Sequence, residues 1–125
     1  MSSDEGVYAI RVRPVAQRDI DEATNRIASL TDEKHAKEWR DGLLNRLATL
    51  ATLPRRAPIA EENRLFIGDV RVIPYRLSAG GAAYRVFFSI QEPAEDAPFV
   101  NILHIRHGAR KRMTRAEARK IEDAS

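Results

Sequence analysis

The chain of 125 residues contains no cysteine, which excludes disulfides, thiolate nucleophiles and every cysteine-based metal site. Aromatic residues are few, and the single tryptophan, Trp39, falls on an apolar helical stripe, where it reads as core rather than as a binding platform. No apolar stretch approaches the length of a membrane span, and the opening MSSDEG is too polar for a signal peptide, so a soluble cytoplasmic protein with no membrane partner is expected. Glycine-rich phosphate loops are missing: Gly80-Gly81 joins two strand candidates with no helix behind it. Ser89 lies mid-strand outside any G-x-S-x-G turn, and no carboxylate obviously orients a histidine, so covalent catalysis has no support. Internal repeats and low-complexity tracts are absent as well. No cofactor is expected.

What is present is a hydrophobic content of 43%, enough for a real core despite the 31% of charged residues. One domain over residues 1–125 is expected, with 1–6 flexible and 113–125 a C-terminal extension. A chain of this size buries roughly two-thirds of the surface exposed when unfolded. Net charge is +3, but the asymmetry is local. From His104 to Arg115 the sequence HIRHGARKRMTR holds five Lys/Arg, two histidines and no carboxylate, the next being Glu117. An acidic group, Glu92, Glu95 and Asp96, precedes the last strand candidate. Cations with imidazoles between them suit an anionic partner such as phosphate. A charge run on a solvated surface is the plain alternative.

The periodicity predicts an α+β fold: an N-terminal strand, an antiparallel helical hairpin, a three-stranded antiparallel meander forming one sheet, and a short C-terminal helix. Tyr8 to Arg13 alternates as a strand and Pro14 ends it. Ile20, Ala23, Ile27 and Leu30 recur at helical spacing. Thr31 is the expected N-cap of a second helix carrying Ala36, Trp39, Leu43, Leu47 and Leu50 on one stripe, and Pro54 stops it. Strand candidates follow at about Leu65 to Leu77, Ala83 to Ile90 and Phe99 to Arg106. Gly80-Gly81 turns between the first two, and Pro74 consigns the first to an edge or a bulge. Thr114 to Glu117 reads as a capping box opening the last helix.

Period two places Arg85, Phe87 and Ser89 on one face of the second strand, opposite Tyr84, Val86, Phe88 and Ile90. In the third it groups Asn101, Leu103 and Ile105 against Ile102, His104 and Arg106. The face without the helices then brings Arg85 near His104 and Arg106, unless Arg85 pairs with an acidic loop residue. Gly108 gives the backbone a turn that fans His107, Arg110 and Lys111 around the sheet edge. His104 and His107 fall on opposite strand faces, so they do not converge on a metal ion.

In order along the chain, the segments YAIRVRPVAQRDI, HAKEWRDGLLNRLATLATLP, RAPIAEEN, YRVFFSI and VNILHIRHGAR resemble the RelE/ParE superfamily of toxins from bacterial type II toxin–antitoxin modules. The resemblance covers about residues 7 to 111. It implies a compact α+β fold, growth arrest, and a cognate antitoxin that wraps the toxin as a hetero-oligomer and covers its Arg/His face with acidic and apolar residues. By likeness to RelE-type members, the first expectation is ribosome-dependent mRNA cleavage by a metal-independent endoribonuclease. Arg85, His107 and Arg110 are its candidate catalytic residues, and His104, Arg106, Lys111 and Arg112 would hold substrate or target. Glu61 or Glu62 could stand in for the carboxylate base of some members. The chain departs from that pattern because no tyrosine follows Arg110. The alternatives are a ParE-like, non-nuclease inhibitor of DNA gyrase and an inactive antitoxin-binding homologue.

Overall fold

Pro14 marks the first change of direction in the computed structural model, which describes residues 7–124. Strand β1 (Ala9–Val12) runs up to it, and helix α1 (Pro14–Leu30) starts on it. Proline suits the first helical position because the N–H it lacks would have no partner there. The flexibility expected of residues 1–6 concerns a segment outside the described residues. Only Thr31 and Asp32 separate α1 from α2 (Glu33–Ala48), a connection that makes the helices antiparallel neighbours. Thr31 is not the cap of α2. Asp32 is, accepting from the His35 amide at 2.7 Å, while the Thr31 hydroxyl donates back to the Ile27 carbonyl at 2.7 Å and closes α1.

After α2 the chain makes three short 3-10 turns, Thr49–Ala51, Pro54–Arg56 and Glu61–Leu65. Strand β2 is therefore only Arg71–Tyr75, shorter than the run from Leu65 that its composition suggested. Side chains, not a neighbouring strand, satisfy the amides before it: Val70 donates to Asn63 Oδ1 at 2.7 Å, and Ile67 and Gly68 each donate to Glu122 at 2.9 Å. Leu53 enters the second turn with φ 47° and ψ 53°, a left-handed conformation that costs a leucine about 1–2 kcal/mol.

Strands β3 (Tyr84–Gln91) and β4 (Phe99–His107) complete the expected antiparallel meander with β2. The sheet itself differs from a three-stranded meander. It has four strands in the order β1-β4-β3-β2, and β1 joins parallel to β4, which makes the sheet mixed. The nine-residue β4 has a second edge beyond β3, and the half-buried β1 satisfies its hydrogen bonds. Pro74 sits on the opposite edge strand, as a residue without an N–H must, and its carbonyl accepts from Arg46 Nε at 3.0 Å.

Each face of the sheet carries its own core. The helical hairpin packs Ile20, Trp39, Leu43 and Leu47 on Val86, Phe88, Val100, Ile102 and Ile105. On the other face, helix α3 (Arg115–Asp123) lays Ala118 and Ile121 over Phe87 and Leu103, with Phe66, Val70 and Met113 around them. The Thr114–Glu117 capping box is present in both directions. Pairing slips at Phe87/Phe88, whose partners are His104 and Ile102, so Leu103 is an extra residue on β4. This bulge breaks period two. Leu103 and Ile105 end on opposite faces, and Ile102 joins Ile105 under the hairpin rather than His104.

Candidate functional site

The basic end of β4 resolves into separate places rather than one pocket. Arg85 and Arg106 are directly opposed in the β3–β4 register and share the face covered by α3, as alternation predicts. Their guanidinium groups nevertheless go different ways. Arg85 forms a two-pronged ion pair with Glu62 at 2.5 and 2.9 Å, so its partner comes from the 3-10 turn Glu61–Leu65 and not from the acidic loop. Glu92 of that loop takes Arg55 at 2.7 Å instead. The Arg85 bonds hold the Glu62 carboxyl below the usual carboxylate range, against the opposing effect of burial. A carboxylate so held is a poor proton acceptor.

Arg106 is buried, as is His104. It donates to the Lys111 carbonyl at 2.6 Å, to Glu117 at 3.3 Å and to His104 Nε2 at 3.3 Å. A guanidinium has only hydrogens to offer, so Nε2 is the accepting nitrogen and Nδ1 carries the ring hydrogen. Nδ1 lies 2.6 Å from Asp19 Oδ2, which also accepts the Ile105 amide at 3.0 Å. Phe87 stacks on the imidazole with centroids 5.7 Å apart. The chain Asp19–His104–Arg106–Glu117 thus ties α1, β4 and α3 together beneath the surface. Burial pushes the Glu117 carboxyl up, but the Thr114 amide with Arg106 and Arg110 outweighs it and the net shift is downward.

His107 occupies the other face. Its ring meets Tyr84 edge-on at 5.0 Å, its Nδ1 accepts the Ala109 amide at 2.9 Å, and with Asp19, Glu22, Arg26 and Arg110 it lines a small hollow of about 80 Å3. Gly108 is needed for a different reason from the one its sequence context suggested. Its amide donates to the Ala83 carbonyl at 2.8 Å, and a Cβ there would stand 3.0 Å from that oxygen. Arg110 reaches Glu117 at 3.1 Å with half its side chain still exposed. Lys111 and Arg112 are exposed, and their side chains have no ion-pair partner among the described residues.

Arg85, His107 and Arg110 accordingly do not surround a common point. Arg106 and His104 are buried, Arg85 and His107 are part-exposed, and Arg110, Lys111 and Arg112 are turned to solvent. Sequence reading passed over Asp19 and saw in Glu117 only a cap. One signal was available: a His-x-Arg pair inside an apolar strand needs buried carboxylate partners. Among the described residues no three His, Asp or Glu side chains group as a metal site, and no helix is long and apolar enough to cross a membrane. No curated protein sequence matches the chain. Residues 10–112 match the family model described as ParE toxin of type II toxin-antitoxin system, parDE. That match spans most of the chain, and the protein therefore belongs to the ParE toxin family of type II toxin–antitoxin systems.

Proposed function

We propose that this toxin arrests growth by binding a protein target, DNA gyrase, and that it does not cut RNA. Family membership implies a cognate antitoxin as the partner that restrains it. One observation supports the non-nuclease reading above all: the side chains that RNA cleavage would need do not converge, and Arg85, His104 and Arg106 among them are already committed within the fold. Cleavage requires a base at the 2′-hydroxyl, a cation at the scissile phosphate and an acid at the leaving oxygen, all converging on one substrate. Here Glu62 takes Arg85, Asp19 and Arg106 take both nitrogens of His104, and α3 overlies the face where these would meet. His107 lies across the sheet from them. Target contact falls to the exposed Arg110, Lys111 and Arg112, whose cations suit an acidic protein surface.

The test is induction without antitoxin of Arg85→Gln and His107→Ala, singly and together, beside Arg110→Glu/Lys111→Glu/Arg112→Glu. The first three arrest growth like the parent at matched protein levels, and the charge reversal loses toxicity while remaining folded. A folded Arg85→Gln/His107→Ala protein that is harmless, while the parent leaves cut messenger RNA, would establish the ribosome-dependent cleavage that the sequence put first.

A further inference from the structure

A groove of about 340 Å3 opens where α2 gives way to its 3-10 turns, and it shares no residue with the basic end of β4. Its floor includes Leu50, Pro54 and Ile73, and its rim Arg46, Leu53 and Arg56.

Leu53 is the only non-glycine residue with positive φ among the described residues, yet its side chain is 59% exposed. A turn that needed only this backbone shape would be served by glycine or asparagine, which adopt it at little cost. Leucine adds an apolar group held out to solvent. The two arginines are equally unspent. Arg46 uses Nε on the Pro74 carbonyl at 3.0 Å, and Arg56 uses Nε on the Leu53 carbonyl at 3.4 Å. Neither has a carboxylate partner among the described residues, whereas the adjacent Arg55 is taken by Glu92 at 2.7 Å. Free guanidinium forks bind carboxylates with two parallel hydrogen bonds.

We propose that this groove receives a segment of the cognate antitoxin in which an acidic residue stands beside an apolar one. The carboxylate meets the outer nitrogens of Arg46 and Arg56, and the apolar side chain packs on Leu53, Pro54 and Ile73. The inference rests on family membership, which supplies the partner, and is independent of the gyrase target. It places a contact outside the Arg/His face that the sequence suggested the antitoxin would cover.

The experiment titrates the full-length chain with its full-length cognate antitoxin and records the melting temperature of each free variant. Leu53→Gly keeps or raises the melting temperature, because glycine accepts the backbone angle, yet weakens antitoxin binding on the order of tenfold, as loss of an anchoring side chain does. Arg46→Glu/Arg56→Glu weakens it on the order of a hundredfold and flattens its salt dependence, as expected when attraction becomes repulsion. Unchanged affinity in a folded Leu53→Gly protein overturns the proposal. So does loss of growth arrest with antitoxin affinity intact, which assigns the groove to the target instead. Antitoxin affinity is read without gyrase, so failure of the gyrase reading leaves this result standing.

Discussion

Replacing Arg106 by alanine lowers the free energy of unfolding by about 3–5 kcal/mol, the loss that follows when one member of a buried ionic network is removed and its partners stay behind. Arg106 is only 3% exposed. Its truncation leaves the Lys111 carbonyl without its 2.6 Å donor and His104 Nε2 without its 3.3 Å donor. Glu117 is not stranded, since Arg110 and the Thr114 amide still reach it. The damage therefore concentrates on the strand side of the network. Arg106→Met, which refills the volume with apolar atoms, loses less than Arg106→Ala because no comparable cavity forms. Urea unfolding followed by circular dichroism measures both, and the alanine variant melts roughly 10–20 °C lower than the parent. An alanine variant as stable as the parent would mean that the network contributes nothing to the fold.

Gly42→Ala has the second large effect, and its sign is opposite to the usual one. In an exposed helix this substitution gains about 1 kcal/mol. In α2 the added methyl lands on the Tyr75 hydroxyl oxygen, with Tyr75 Cζ and Leu77 Cδ1 each at 3.4 Å behind it. Tyr75 has no room to swing. It is buried, donates to the Trp39 carbonyl at 2.8 Å and meets the Trp39 ring edge-on at 5.8 Å. Overpacking and the broken hydrogen bond together outweigh the helix gain, for a net loss of about 1–3 kcal/mol. Tyr75→Phe removes the oxygen in the way, so the double variant regains stability relative to Gly42→Ala alone. Additive losses in the two single variants and the double would show that the two positions do not touch.

The contrast between these two sites shows what the sequence could convey. Helix stripes, strand alternation, the Thr114–Glu117 box and the edge position of Pro74 are local patterns, and they were legible. What escaped depended on distant partners. The bulge at Leu103 arises from pairing with β3 and left no trace in the alternation of VNILHIRH, so the faces of Ile102 and Ile105 were mistaken. The parallel seat of β1 beside β4 is a tertiary choice among open edges. Arg85 was read with its own strand neighbours or with the acidic loop, although its partner, Glu62, comes from a turn 23 residues away. The cation run after His104 looked like one basic pocket because sequence shows charge and hides burial. Arg106, buried with its carboxylate, and Arg112, free in solvent, read alike as letters.

We propose that the toxin stops DNA metabolism through a protein contact and spares messenger RNA. This proposal is tested most directly by pulse incorporation of labelled thymidine and labelled amino acid within minutes of inducing the chain without its antitoxin. Thymidine incorporation falls first while translation continues, as inhibition of gyrase requires. Collapse of amino-acid incorporation while DNA synthesis persists would contradict it and return Arg85 and His107 to the centre of an active site.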